Sequence, residues 1–208
     1  MPANVKAIDP DNKMEQYIGR PYTSVPNPFD TEHENYAKYF EDEFMKSIKK
    51  FGIEMDYRYQ TDMYTSGAYR DDIIEAIQKR KEIFDILDSF RTQDAEEGER
   101  EAYYPVSVFC PECGKDTTKI TSLSDDCTVA EYECECGHRG TFDFTKEFNC
   151  KLAWKIDWPM RWRYEGVDFE PGGKDHASPG GSYETSSVIS RKIFGYEPPM
   201  FQATSSSA

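Results

Sequence analysis

Apolar and polar residues follow different periods in successive parts of this chain. Tyr36, Phe40, Phe44 and Ile48 recur every four residues with charges between them, the spacing of one helix face. Thr31 with Glu34 fits a capping box, and Gly52 fits a C-terminal stop. Together they predict a helix over about residues 32–51, its stripe turned to the core. Ile53, Met55, Tyr57 and Tyr59 then alternate with Glu54, Asp56, Arg58 and Gln60, a period of two that predicts a half-buried strand. Residues 61–67 read as a polar loop broken by Gly67. A second helix starts near Arg70, with Ile73, Ile74, Ile77, Ile83, Phe84 and Leu87 on its apolar face and Asp71 and Asp72 at its positive end. The order helix, strand, helix points to an α/β fold. Before it, residues 1–30 carry Pro2, Pro10, Pro21, Pro26 and Pro28 and read as an extended arm; after it, residues 91–102 read as a charged linker.

The pattern changes at residue 103 to short β-like runs around cysteines. Cys110-Pro-Glu-Cys113-Gly is followed, twenty residues on, by Cys134-Glu-Cys136-Gly. Four thiolates in two glycine-ended knuckles suit tetrahedral zinc, and the flanking runs (residues 103–109, 129–133 and 140–144) make a β-rich zinc ribbon. A closed four-sulfur shell has no open position, so its role is structural, and in so small a module the metal supplies much of the folding energy. The competing reading is unliganded or disulfide-paired thiols. His138 is a substitute ligand or a surface residue beside the second knuckle; Cys127 and Cys150 read as ordinary thiols. Lys115, Lys119 and Arg139 are few for an RNA contact.

Residues 151–176 hold all three tryptophans, Trp154, Trp158 and Trp162, at intervals of four, so on a helix they would share a face. Pro159 within the run favours a first-turn position or a kink. Val167-Asp168-Phe169 is β-like and meets a turn, Pro171-Gly172-Gly173, then Lys174-Asp175-His176. In α/β folds polar chemistry sits at such strand ends. The plainer alternative makes the tryptophans core, Asp175 a turn cap and His176 a satisfied strand-end histidine. Trp162, between Arg161 and Arg163, reads as packed beneath them, with arginines that meet RNA phosphates as the other reading, and His33 reads as a surface residue.

Charge narrows the partners. The 208 residues carry a formal charge of −14, which disfavours a general nucleic-acid binder and makes DNA an unexpected partner. No run of 18 apolar residues exists and the first residues are polar, so neither a membrane span nor a secretion signal is indicated. The expected location is the cytoplasm, where six cysteines are thiols or metal ligands rather than disulfides.

Several segments resemble a known family. They are Trp154-Lys155-Ile156-Asp157-Trp158-Pro159-Met160-Arg161-Trp162, Phe169-Glu170-Pro171, Gly173-Lys174-Asp175-His176 and Gly180-Gly181-Ser182-Tyr183. Further matches are Pro2-Ala3-Asn4-Val5, Gly19-Arg20-Pro21, residues 23–29, Met63-Tyr64-Thr65-Ser66-Gly67, Phe194-Gly195 and Glu197-Pro198-Pro199. In this order, from about Pro2 to Pro199, they resemble class I lysyl-tRNA synthetase of the mainly archaeal type, built on a Rossmann-type catalytic domain. The resemblance implies lysine activation with ATP and Mg, then transfer to tRNA-Lys. Trp154 and Asp157, with Trp158 beside them, would wall the lysine pocket, and His176 and Asp175 would be catalytic. Gly172, Gly173, Lys174, Asp175, His176, Gly180 and Gly181 would hold ATP or the adenylate. Gly180 to Tyr183 would open a helix whose amides can face phosphate or ribose, with Ser182 as N-cap, Val188, Ile189 and Ile193 buried, and Gly195 closing it.

The resemblance also sets limits. The family's HIGH-type motif falls before this stretch and its KMSKS-type loop after it; Lys13-Met14-Glu15-Gln16 replaces neither. Gly172 stands where some members carry a bulkier residue. After Pro199 the family continues in an apolar strand bearing a tyrosine, where this chain reads MFQATSSSA, a serine-rich tail expected to be disordered. The expected layout is an arm and α/β part over residues 1–102, the ribbon over 103–150, and part of the second Rossmann half over 151–208. Two functions compete. The first is all or part of a lysine–tRNA ligase, with little or no activity expected alone and read as a truncated gene, one half of a split enzyme completed by a second chain, or a degraded paralogue. The second is a non-catalytic zinc-ribbon protein binding RNA or a partner chain.

Overall fold

The computed structural model describes residues 13–204. The Pro2 to Val5 match, Pro10 and the four final residues lie outside the described residues. Residues 13–30 are not a plain extended arm. They form two 3-10 turns, Glu15–Tyr17 and Tyr22–Ser24, and Met14 and Val25 bury against Tyr36 in a small cluster.

Helix α1 is Tyr36–Lys50, shorter than the sequence predicts. Asn35 caps it, its side chain accepting from the Lys38 amide at 3.0 Å. The Thr31 and Glu34 pair lies outside the helix, because the Asp30 carboxylate already turns the chain there by taking the amides of Glu32 and His33. The stripe on α1 is not core. Tyr36 is buried, but Phe40 is 47% and Phe44 52% exposed; no element among the described residues covers them. The expected strand after it is absent too. Residues 53–59 have no ladder partner among the described residues, and Ile53, Met55 and Tyr57 are exposed. Alternation marks a surface suited to a sheet, but a strand exists only against a neighbour.

The expected loop after it is helix α2, Gln60–Thr65. The second predicted helix is two, α3 Arg70–Gln78 and α4 Arg80–Asp88. They break at Lys79, whose ammonium donates to the Ile193 carbonyl at 2.6 Å and pairs with Glu75 at 2.8 Å. The linker holds a short helix, α5 Glu99–Ala102, tied back by a two-pronged Arg100–Asp85 pair at 2.6 and 2.7 Å.

Strand β1, Val106–Val108, enters the cysteine-bearing module. Strands β2 Thr118–Leu123, β3 Val129–Cys134 and β4 Arg139–Asp143 form its antiparallel sheet, and β5 Cys150–Leu152 returns beside β1. Strand β2 escaped the sequence reading because only Ile120 on it is buried. Helix α6, Trp154–Glu165, follows, then β6 Phe169–Gly173, α7 Ser182–Ile189, a π turn Ser190–Phe194, and β7 Met200–Thr204.

Four expectations are corrected here. Pro159 lies inside α6 rather than in its first turn. Proline cannot donate to the carbonyl four residues back, and the Ser186 hydroxyl on α7 donates to that Lys155 carbonyl instead, at 3.1 Å. Pro171, Gly172 and Gly173 belong to β6, and the turn is Lys174–Ala177. Gly181, not Ser182, caps α7. Met200–Thr204 is a strand, not disordered tail, pairing parallel with β6. Its alternation is short, and its ladder partner lies 31 residues upstream, Met200 opposite Phe169. The β6–α7–β7 unit is the α/β crossover the fold class requires. One apolar core runs through Ile77, Ile83, Val108, Phe144, Ile156, Met160, Ile189 and Ile193, joining the helices to the root of the ribbon.

Candidate functional site

Helix α6 brings the tryptophans into a stack. The Trp154 and Trp158 ring centroids lie 5.1 Å apart, nearly parallel, and Trp158 and Trp162 lie 5.0 Å apart. Trp162 is fully buried, its indole N–H donating to Glu170 at 2.9 Å; Trp154 is 47% exposed. The flanking arginines bond within the chain. Arg161 lies over the Trp154 ring and pairs with Asp157 at 2.8 Å, while Arg163 reaches Glu75 at 2.6 Å and the Phe194 carbonyl.

The Lys174–Ala177 turn sets the His176 ring against this stack, 5.5 Å from Trp158 and 6.4 Å from Trp154. Tyr183 and Phe201, stacked at 4.4 Å, close the far side of Trp158. Sequence reasoning missed Phe201, since it expected no ordered strand there. It also explains Gly172: a Cβ at that position would lie 2.6 Å from the Phe201 ring, so the bulkier residue of some family members has no room. The amides expected to face a phosphate are partly spent. Gly180 donates to Glu184 at 2.7 Å and Gly181 to the Ser178 carbonyl at 2.7 Å.

On its other side Trp154 borders a cavity of about 660 Å³. Tyr22 comes to it from the N-terminal segment, Tyr64 from α2, Phe109 and Phe148 from the root of the ribbon, and Trp154 and Asp157 from α6. His176 and glycines 172, 173, 180 and 181 lie outside its lining. The residues expected to hold lysine and those expected to hold the adenylate therefore border two adjoining surfaces that share the Trp154 indole. Asp157 is the cavity's buried carboxylate. Tyr64 donates to it at 2.5 Å and accepts from the Leu152 amide at 3.2 Å. Burial raises the Asp157 pKa, opposed by Arg161 and the Tyr64 hydroxyl, and burial with this carboxylate alongside raises that of Tyr64. Tyr64 and Asp157 are 93 residues apart; its only sequence signal was its place in the Met63 to Gly67 match.

The four knuckle cysteines converge. Their sulfurs all lie within 4.8 Å of one another, with Cys110 to Cys136 and Cys113 to Cys134 at 3.7 Å. A tetrahedron with metal–sulfur bonds of about 2.3 Å has edges of about 3.8 Å, so the four can hold a metal ion; a disulfide needs contact at about 2.0 Å. Burial opposes ionisation of Cys134, but the Cys136 amide and the Thr117 hydroxyl bring its pKa down to about 7. His138 is outside the cluster, its ring beside Tyr132. Cys150 is buried, which pushes its pKa up to about 12. No helix among the described residues is long and apolar enough to cross a membrane.

Comparison with known proteins shows the family. Residues 3–203 match the family described as tRNA synthetases class I (K). The chain belongs to that family. A lysine–tRNA ligase of Streptomyces coelicolor is 39% identical over 96% of this chain, one of Borreliella burgdorferi 41% over 93%, and one of Pyrococcus horikoshii 38% over 90%. The synthetase segment spans 39%, 37% and 35% of those relatives' lengths.

Proposed function

We propose that this synthetase segment carries the lysine and adenylate surfaces of a lysine–tRNA ligase. Lysine's carboxylate attacks the α-phosphate of ATP, brought with Mg, and displaces pyrophosphate; the lysyl group then passes to the terminal adenosine of tRNA-Lys and AMP leaves. The protein's part is to position these groups and stabilise developing charge. Trp154 and Asp157 hold lysine, the Asp157 carboxylate suited to an ammonium group, while Trp158, expected beside them, is buried outside the cavity lining and backs the Trp154 ring. His176 and Asp175 face the reacting phosphate, and residues 172–176, Gly180 and Gly181 lie along the nucleotide. The ion in the cysteine cluster is zinc, which suits four thiolates at this spacing, and it serves structure. A ribbon module starting near residue 103 is supported by the β1–β5 pair that closes its root, with β5 running two residues past the proposed boundary at 150.

The observation that carries the reading is Trp154, a half-exposed indole shared by the cavity and the His176 turn. The test is lysine-dependent exchange of pyrophosphate into ATP, with and without a polypeptide supplying the rest of the family's catalytic region. Exchange is expected in the mixture and not with the segment alone. Trp154→Ala and His176→Ala should each lower it about 100-fold, the cost of misplacing a reacting group. No exchange in either condition, with the segment folded, rejects the reading. A second chain is favoured by one feature: Phe40, Phe44, Phe51, Ile53, Met55 and Tyr57 are all exposed along one stretch. A partner-binding protein without catalysis is the outcome in which such a chain binds and exchange stays absent.

A further inference from the structure

The first cysteine knuckle has two neighbours. Cys110 and Cys113 belong to the metal cluster, and three residues later Asp116 lines the cavity. The loop between them is short and internally bonded: Gly114 donates to the Cys110 carbonyl at 2.8 Å, and Cys110 accepts no slack, its own amide donating to the Lys115 carbonyl at 2.9 Å.

The N-terminal segment is seated on this loop. The Asp116 amide donates to the Gly19 carbonyl at 2.9 Å. Gly19 has a φ of +90°, and a Cβ there would meet Asp116 at 3.0 Å and Lys115 at 3.3 Å, so the two backbones approach as closely as they do because the residue is glycine. The Arg20 side chain then lies on the knuckle itself, its Nε 3.5 Å from where a Cβ on Gly114 would sit. That Nε is buried without a hydrogen-bond partner, and the guanidinium also rests on the Tyr17 ring at 5.6 Å. Residues 19–23, which follow directly, form one side of the cavity. On the other side of the loop, Lys151 pairs with Asp116 at the start of the chain's return to α6.

We infer that the four-cysteine site positions the cavity beside it: a metal held there would fix the 110–116 loop, and the loop in turn seats Gly19 and Arg20 and so the cavity wall that follows them. Arg20 and Asp116 are positioning residues in this scheme. The alternative is an isolated staple that folds the ribbon alone. A coupling of this kind is reciprocal: if the metal orders the N-terminal wall, the wall must tighten the metal. The inference rests on the metal reading of the cysteines and not on lysine activation, so its readout needs no catalysis.

Amide exchange on the whole chain, zinc-loaded and then stripped by a chelator under reducing conditions, tests it. Zinc content per chain is measured first; no bound zinc overturns both the metal reading and this inference. With zinc bound, stripping should speed exchange at Asp116, Ser24 and Val25 by roughly tenfold or more, while Ile77 and Ile83 keep their protection. Exchange that rises in β2, β3 and β4 but not at Ser24 and Val25 overturns the inference and leaves the isolated staple. Should stripping unfold the entire chain, the reciprocal measurement decides. Arg20→Ala in the zinc-loaded protein should weaken zinc about fivefold or more against a competing chelator, whereas Asp126→Ala, at the far tip of the ribbon, should not. Equal zinc affinity in wild type and Arg20→Ala overturns it.

Discussion

His33 shows how a single residue can be misread. The sequence made it a surface histidine. In the fold its Nδ1 lies 2.9 Å from Asp30 and its Nε2 3.1 Å from Asp42, and the hydrogen bond to Asp42, then that to Asp30, raises its pKa. The sign follows. The clasp's stability is fully present below the ordinary histidine value of about 6.5 and is lost as pH rises through the raised folded value. Chemical denaturation followed from about pH 5 to about pH 9 should show that loss, and His33→Gln should flatten it. A proton-resonance titration placing His33 at or below about 6.5 would refute the assignment. The metal-site cysteines were legible because a knuckle is local: each pair is fixed by two or three residues of chain. The Tyr64–Asp157 contact was not, since only tertiary packing brings those residues together.

At the scale of elements, α6 and α7 are tuned to each other. Pro159 leaves the Lys155 carbonyl without its helical donor, and Ser186 supplies one. Ser186→Ala should therefore cost about 1–2 kcal/mol, the usual penalty for stranding a buried acceptor. In a Pro159→Ala background, where residue 159 regains its N–H, the same substitution should cost well under half of that. Thermal or urea unfolding of the four proteins in the cycle measures the coupling; equal costs in both backgrounds would reject it. The sequence could show that a proline interrupts this run, yet not that a neighbour compensates, so it predicted a first-turn position or a kink. Strand β7 was hidden for a related reason: parallel pairing joins segments far apart in the chain, and five residues seldom declare it alone.

For the molecule as a whole, apolar pattern and burial part company. The isoleucines of α3 and α4 read as core and are core. Phe40 and Phe44 of the α1 stripe, and Ile53, Met55 and Tyr57 after it, read equally apolar and are exposed. Stability should follow burial. Ile77→Ala is expected to cost about 2–5 kcal/mol, and Phe44→Ser less than about 0.5 kcal/mol. Denaturant midpoints for the two variants check this. A large loss for Phe44→Ser in the isolated protein would show that the stripe is covered after all. Periodicity reports which surface a segment is built to bury, and it is silent on whether the covering surface belongs to the same stretch of chain.

The indole ladder has an optical consequence. Three rings at about 5 Å, running from fully buried Trp162 to half-exposed Trp154, are close enough to share excitation. Light absorbed deep in the protein can be emitted at its surface. The ring that faces the cavity and His176 would then report for all three, so a molecule settling there should quench or shift nearly the whole emission, with no dye attached.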